Sequence, residues 1–302
     1  MQGFTLIEVG MVLIIFALII GGLVTPLTMQ IELRSRQATK ATMDSIKEAL
    51  IGYALTNGRL PCPDFDGDGV EDVRVAPAPA NAWDVDVDTV TPVADEMRRP
   101  TLACADTGGA NNYEGWLPFT TLGVGRSDDW GDRFTYRVSP EFTDDFQVFT
   151  DTNSNDTLDA AESAVTAVRT NTSLSSKGDI QISDRGDDAS TGGVETKFLN
   201  ALIGTAEHST SNAAAVIISH GKNRLGSTDA SSGVANPAAP ANSDELLNTT
   251  NGLQKIARVP TPFNGNCDDT AEGANFCEYD DMVDWIAPSV LLSRMVAAGK
   301  LP

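Results

Sequence analysis

Residues 9–31 read Val-Gly-Met-Val-Leu-Ile-Ile-Phe-Ala-Leu-Ile-Ile-Gly-Gly-Leu-Val-Thr-Pro-Leu-Thr-Met-Gln-Ile, and these 23 residues carry no charge. Glu8 and Glu32 bound the run. A helix of this length can cross a hydrocarbon core of about 30 Å. A secretory signal peptide would have basic residues before the run and a small-residue cleavage site after it, and this sequence shows neither. An ordinary membrane anchor fits the length but leaves the carboxylate of Glu8 at its edge unexplained.

The sequence beyond Pro26 becomes amphipathic. Apolar residues recur on one helical face, namely Met43, Ile46, Leu50 and Tyr53. Gly58 supplies a helix stop and Pro61 follows it. We therefore expect one long helix over residues 4–57, whose half 4–28 is embedded in a membrane. Pro26 is a natural place for this helix to kink, because proline removes a backbone hydrogen bond.

Residues 58–302 are expected to form a globular ectodomain. Short β-like runs occur at 134–138, 146–149, 180–182, 214–219 and 256–259, and helical patterns at 194–204 and 289–298. Polar loops are predicted at 76–100, 170–193 and 227–245, and the composition of the last predicts a mobile segment. This order predicts an α+β fold in which the long N-terminal helix packs on a small antiparallel β-sheet with long loops.

The composition excludes several classes of function. The chain has 302 residues with 21 Lys+Arg against 42 Asp+Glu, a net charge of −21, which argues against nucleic-acid binding. With 41% hydrophobic and 21% charged residues, the chain is not expected to be disordered as a whole. Two histidines leave little room for zinc or triad chemistry. We expect a binding or structural protein without catalytic activity.

The segment Gly3-Phe-Thr-Leu-Ile-Glu-Val9 resembles the prepilin cleavage site of type IV pilins and type II secretion pseudopilins. The resemblance implies that residues 1–3 are a leader, which the prepilin peptidase removes by cutting after Gly3. Phe4 then becomes the methylated N-terminus. Glu8 takes the fifth mature position, where it would pair with the terminal ammonium of Phe4 on a neighbouring subunit and set the register of a filament.

Further segments resemble the sequence that follows the long helix in pilin-like proteins. They are Gly58-Arg-Leu-Pro-Cys-Pro63, Gly115-Trp-Leu-Pro-Phe119, Thr121-Leu-Gly123, Asp129-Trp-Gly-Asp132 and Tyr136. The resemblance implies a structural subunit that assembles with copies of itself and other pilin-like subunits. Its expected location is the inner membrane before assembly and a periplasmic or cell-surface filament afterwards. A repeated shaft subunit and a minor subunit both remain open, as do a type IV pilus and a secretion pseudopilus.

Four cysteines, an even number, indicate disulfides in an exported domain. They are Cys62, Cys104, Cys267 and Cys277. Three pairings are possible, and proximity in the sequence favours Cys62 with Cys104 and Cys267 with Cys277. A four-cysteine zinc site is not expected, because closely spaced Cys-x-x-Cys pairs are absent.

Two acidic loops are candidate calcium sites. In residues 64–72, carboxylates occupy loop positions 1, 3, 5 and 9, namely Asp64, Asp66, Asp68 and Asp72, with Gly69 at position 6. Position 12 is Val75, so the bidentate glutamate is missing. Residues 151–162 have the full set of ligand positions, namely Asp151, Asn153, Asn155, Thr157 through its carbonyl, Asp159 and Glu162. Asp156 stands there in place of the glycine. Either loop could instead be a solvated acidic turn.

Two alternatives to a filament subunit remain. One is a single-span, membrane-anchored, calcium-binding ectodomain that does not polymerise. The other is a membrane-tethered hydrolase, for which Ser219-His220-Gly221 is the only neighbourhood of serine and histidine at a strand end. The apolar run before Ser219 favours a buried strand that runs into a turn, and it argues against a nucleophilic serine. Processing to Phe4 would separate the filament class from a plain anchor.

Overall fold

The computed structural model describes residues 6–75, 96–104, 112–143, 145–150, 166–170, 172–174, 176–183, 212–269 and 275–301. Within these residues the helices are α1 (Leu6–Asn57), α2 (Phe119–Leu122), α3 (Glu245–Thr249) and α4 (Pro288–Ala297). The strands are β1 (Val73–Val75), β2 (Glu96–Cys104), β3 (Glu114–Trp116), β4 (Thr135–Val138), β5 (Asp145–Thr150), β6 (Thr166–Thr170), β7 (Gln181–Ser183), β8 (Ala215–Ser219), β9 (Gln254–Ile256) and β10 (Met282–Ile286). The fold is therefore α+β.

Helix α1 continues through Pro26 and ends at Asn57. The side chains of residues 17–28 lie outside the described part of the chain. The predicted helix stop is confirmed, because Gly58 has a φ of 80°, and its N–H donates to the carbonyl of Ala54 at 2.8 Å. Among the described side chains of α1, those before Thr39 are exposed or half-buried, and the buried face begins at Thr39.

The strands form two antiparallel sheets and one parallel pair. One four-stranded sheet has the order β1-β2-β5-β6, and the other has the order β10-β8-β4-β3. Strands β7 and β9 pair in parallel. The predicted runs at 134–138, 146–149, 180–182 and 214–219 coincide with β4, β5, β7 and β8. Strand β9 ends at Ile256, so the run predicted at 256–259 is displaced towards the C-terminus.

The second half of α1 packs on the sheet that contains β4 and β8. The core residues from α1 are Met43, Ile46, Leu50, Ile51 and Ala54, which meet Phe134, Tyr136, Ile217, Ile286, Leu291 and Met295. The ammonium groups of Lys40 and Lys47 also lie 2.7 Å and 2.9 Å from the carboxylate of Asp284 in β10. Met43, Ile46 and Leu50 of the predicted stripe thus belong to the face by which α1 attaches to the residues that follow it, here called the head, whereas Tyr53 is only half-buried.

Strand β2 occupies part of the segment predicted as a loop at 76–100. That prediction is wrong for residues 96–100, and residues 76–95 lie outside the described part. The sequence does not predict this strand, because two charged arginines precede Pro100 and proline cannot donate a hydrogen bond to a neighbouring strand. The structure accommodates Pro100 by shifting the register between Pro100 and Leu102. Such a shift is a common way for a sheet to tolerate proline.

The segment 227–245, predicted to be mobile, is fixed by hydrogen bonds. The carboxylate of Asp229 accepts from the backbone N–H groups of Ser231 at 3.0 Å and Ser232 at 2.8 Å. The hydroxyl of Ser227 donates to Asp132 at 2.9 Å, and Ala230 is buried. Short polar side chains that bond to their own turn give this composition order without an apolar core.

The C-terminal helix was predicted at 289–298 and is α4. Its buried face includes Leu291, Leu292 and Met295. Val296 is 42% exposed. The helix predicted at 194–204 lies outside the described residues.

Candidate assembly and cation sites

The first turn of α1 places Glu8 among exposed apolar side chains. Glu8 is itself exposed. Eight large apolar side chains of the same segment are between 49% and 73% exposed, namely Ile7, Val9, Met11, Val12, Leu13, Ile14, Ile15 and Phe16. A contiguous exposed apolar surface of this kind is typical of a site that contacts lipid or protein. Gly3 and Phe4, the predicted processing residues, lie outside the described part.

The predicted membrane segment at residues 9–31 is described only in part. Among the residues described, no helix is long and apolar enough to cross a membrane. The side chains of residues 17–28, within this segment, are not among them.

The four cysteines form the two disulfides favoured by their proximity in the sequence, Cys62–Cys104 and Cys267–Cys277. Cys62 and Cys104 are fully buried, close to the end of α1. The backbone N–H of Cys62 donates to Glu71 at 3.0 Å, and Arg59 donates to the same carboxylate at 2.8 Å and 2.9 Å. Burial alone would raise the pKa of Glu71, but the hydrogen bonds from Arg59 and Tyr53 hold this pKa below its ordinary value.

The 64–72 loop curls around the buried carboxylate of Asp64. Its two oxygens accept from the backbone N–H groups of Gly67 at 2.6 Å and Gly69 at 2.8 Å. Both glycines have positive φ angles, 86° and 87°. The glycine at position 6 therefore supplies the left-handed turn expected of it. The carboxylate of Asp72 accepts from the N–H groups of Phe65 and Asp66 at 2.6 Å and 3.3 Å.

Three of the four predicted ligands of this loop come together. One carboxylate oxygen from each of Asp64, Asp66 and Asp72 lies within 4.8 Å of the others. Asp68 is outside the group, and its carboxylate accepts from the N–H of Val70 at 2.7 Å. Burial raises the pKa of Asp64, and the nearby charges of Asp66 and Asp72 act in the same direction. A divalent cation would relieve this repulsion, and carboxylate oxygens keep lone pairs for it after accepting a hydrogen bond.

The predicted calcium loop at residues 151–162 lies outside the described residues. Its six predicted ligands, Asp151, Asn153, Asn155, Thr157, Asp159 and Glu162, stay a prediction from the sequence.

A second cluster of carboxyl groups was not predicted as a site. Glu245, at the start of α3, lies beside Asp280 and Asp281, which directly precede β10. One oxygen from each lies within 4.8 Å of the others, and all three residues are buried. The adjacent acids Asp280 and Asp281 were visible in the sequence. Nothing in the sequence indicated that Glu245 joins them, because it lies 35 positions before Asp280.

The electrostatics of this cluster favour the neutral forms of Glu245 and Asp280. Burial, followed by the charge of Asp281, raises the pKa of Glu245 to about 8. Burial also raises the pKa of Asp280 to about 6, with a further contribution from Asp281. Close carboxylates in a desolvated place cannot all ionise without a compensating positive charge.

The residues considered for hydrolysis have separate partners. The hydroxyl of Ser219 donates to Asp128 at 2.7 Å, and Nε2 of His220 lies 2.9 Å from the hydroxyl of Thr135. Nδ1 of His220 lies 3.6 Å from a carboxylate oxygen of Asp281. The Ser219-His220-Gly221 segment therefore borders the buried acidic cluster, and its strand β8 is buried as predicted.

Comparisons with known protein families, with curated protein sequences and with solved structures find no match for this chain.

Proposed function

We propose that this chain is a structural, non-enzymatic subunit of a filament of the type IV pilus or type II secretion pseudopilus kind. In this proposal residues 1–3 are removed by the prepilin peptidase and Phe4 becomes the methylated N-terminus. Before assembly the subunit lies in the inner membrane. It then assembles with copies of itself and other pilin-like subunits into a periplasmic or cell-surface filament.

The observation that carries the proposal is the exposed apolar surface of α1 around Glu8. Apolar side chains from Ile7 to Phe16 cover this segment, while the buried face of the helix begins only at Thr39. Burying this surface against lipid or neighbouring helices stabilises by roughly 25 cal/mol per Å². The same helix is attached to the head by its other half, through Met43 and the residues that follow.

Glu8 gives this surface a register in an assembled filament. A carboxylate buried among packed apolar helices is unfavourable unless a cation neutralises it. The ammonium of Phe4 on a neighbouring subunit is the proposed partner. A subunit shifted along the axis would leave both charges unpaired, so the pairing selects one position.

Calcium is part of the proposed function. Asp64, Asp66 and Asp72 of the 64–72 loop would bind one ion with oxygen ligands. The loop at residues 151–162 is proposed as a further calcium site on its sequence alone. Calcium binding also fits a single-span anchored ectodomain that never polymerises, and the assembly experiment separates the two.

The decisive experiment combines N-terminal sequencing with a charge deletion. The mature chain is expected to begin at Phe4, and Glu8→Ala is expected to leave the subunit in the membrane while filament yield falls strongly. Glu48→Ala is the control, because Glu48 lies on the same helix in an exposed ion pair with Arg294, and such pairs contribute little. An intact Met1 together with no filaments from the wild type would support the non-polymerising anchor.

A further inference from the structure

Three carboxyl groups meet inside the head of the molecule with no lysine or arginine of the described residues bonded to them. They belong to Glu245, Asp280 and Asp281, which are 0%, 7% and 4% exposed. A neighbouring imidazole, that of His220, has its Nδ1 3.6 Å from Oδ1 of Asp281, which is beyond hydrogen-bond distance. Among the described residues, none of the three forms an ion pair with lysine or arginine. Arg36 and Lys255 act on the cluster only as charges at longer range. Buried carboxylates are usually paired or bound to a metal.

The surrounding hydrogen bonds hold the three groups in place. Both oxygens of Glu245 accept from the side-chain amide of Asn223, at 2.9 Å and 3.0 Å. One of them also accepts from the backbone N–H of Asp280 at 2.9 Å. Oδ2 of Asp280 accepts from the backbone N–H groups of Lys222 and Asn223, both at 2.9 Å. The side-chain amide of Asn248 donates to Oδ2 of Asp281 at 2.8 Å.

Two carboxylate oxygens of the cluster remain without a hydrogen-bond partner. They are Oδ1 of Asp280 and Oδ1 of Asp281. An unsatisfied buried polar atom costs about 1–3 kcal/mol, and more when the group is charged. Two such atoms in one cluster of acids, where the other oxygens are already used, leave oxygen lone pairs that a cation can occupy.

We infer that Glu245, Asp280 and Asp281 form a buried site for one hard divalent cation of the Ca²⁺ and Mg²⁺ class. The donors are all carboxylate oxygens, which these ions prefer. The histidine next to the cluster lies outside the group of ligand atoms, so the set lacks the nitrogen or sulfur donors typical of zinc. This site is separate from the 64–72 loop and does not depend on filament assembly.

A cation at this position would join two distant parts of the chain. Glu245 belongs to α3, and Asp280 and Asp281 lead into β10. The turn at Gly221 and Asn223 closes over the cluster, and Gly221 has a φ of 61°. An added Cβ at Gly221 would collide with Asp280, so only glycine permits this approach. The cation would therefore fix the head where β8 ends beside β10.

The test counts bound cations on the full-length chain in detergent by native mass spectrometry, with Ca²⁺ and Mg²⁺ supplied separately. The variants Glu245→Gln and Asp281→Asn remove one charge each with little change of shape. Each is expected to bind about one cation fewer than the wild type at the same free concentration. Asp128→Asn is the matched control, because Asp128 is also a buried aspartate, hydrogen-bonded to Ser219, and it is expected to keep the full count.

An unchanged count in both cluster variants would overturn the proposal. If neither variant folds, a chain that carries Asp66→Asn and Glu162→Gln, one change in each proposed calcium loop, decides through the luminescence of bound Tb³⁺, whose decay rates in H₂O and D₂O report the number of coordinated waters. A buried site is expected to give a slowly decaying component with about two coordinated waters or fewer, since protein oxygens fill the coordination sphere. Only strongly hydrated Tb³⁺ would overturn the proposal as well.

Discussion

The hydroxyl of Tyr136 donates a 3.1 Å hydrogen bond to the backbone carbonyl of Pro61. Tyr136 is fully buried in β4, and Pro61 lies just beyond the end of α1, beside Cys62. The bond joins the residues that follow α1 to strand β4 of the sheet with the order β10-β8-β4-β3.

Replacing Tyr136 with phenylalanine tests this connection. Tyr136→Phe keeps the aromatic packing and leaves the carbonyl of Pro61 without its donor. The free energy of unfolding is expected to fall by about 1–2 kcal/mol. Urea unfolding of the full-length chain in detergent, followed by tryptophan fluorescence, measures the change. An unchanged unfolding midpoint would show that the carbonyl of Pro61 gains another donor.

The two disulfides are expected to contribute unequally to stability. The pair Cys62–Cys104 closes a separation of 42 residues and Cys267–Cys277 one of 10, which correspond to about 4 and about 3 kcal/mol of chain entropy. Replacing Cys62 and Cys104 by alanine also removes packing contacts of two fully buried side chains. Urea unfolding measures the free energy of unfolding of two double variants, one without each disulfide. The loss should be larger for Cys62→Ala with Cys104→Ala than for Cys267→Ala with Cys277→Ala.

A thiol-blocking reagent gives an independent check of these bonds. Without reductant, no cysteine of the folded chain should be modified, because all four are joined in pairs. Two or more modified cysteines, or a larger loss of stability on removing the Cys267–Cys277 bond, would contradict this account.

The sequence predicts the elements whose local pattern agrees with their place in the fold. Gly58 ends α1 as expected, and the apolar run before Ser219 forms the buried strand β8. Strand β2 is not predicted, because its sequence, with two arginines followed by Pro100, lacks the alternation of apolar and polar residues that is typical of a strand. Its pairing with β5 comes from tertiary contacts, which override a weak local preference.

Of the two candidate cation sites that the structure describes, one is predictable from the sequence and the other is not. The 64–72 loop is predictable because its ligands lie within nine consecutive residues, and the structure brings Asp64, Asp66 and Asp72 together. The cluster around Glu245 is not predictable, since its members meet only after β8, α3 and β10 have assembled. No spacing rule relates Glu245 to Asp280 across 35 positions.

The pH dependence of stability should reveal the buried cluster in the cation-free chain. The pKa of Glu245 in the folded state is about 8, against an ordinary value of 4.5. Between these values the folded chain binds more protons than the unfolded chain, so this group's contribution to stability decreases as pH rises. The contribution is present below about pH 4.5 and is lost by about pH 8.

Glu245→Gln isolates this contribution, because glutamine cannot ionise. With a chelator present, the variant and the wild type should have similar unfolding free energies near pH 5. At pH 8 the variant should be more stable by on the order of 2 kcal/mol. Glu48→Gln, at an exposed position of α1, should follow the wild type at both pH values. A wild type that is at least as stable as Glu245→Gln at pH 8 would contradict the raised pKa.

The 64–72 loop offers a test of calcium with a closely matched control. Asp66 belongs to the group of three carboxylates and Asp68 does not. Each is exposed, and each accepts a hydrogen bond from the backbone N–H two residues further on, at 3.1 Å and 2.7 Å. Asparagine at either position keeps this hydrogen bond, so only the charge offered to a cation is removed.

Calcium at millimolar concentration should stabilise the wild type through this loop by about 0.4–1.4 kcal/mol, if the site has the affinity of roughly 10⁻⁴–10⁻³ M typical of extracellular modules. The melting temperature of the full-length chain should then fall by about 1–5 °C on chelation. Asp66→Asn should lose part of this shift, and Asp68→Asn should retain all of it. Equal shifts in the two variants and the wild type would mean that the loop is an acidic turn held only by its own hydrogen bonds.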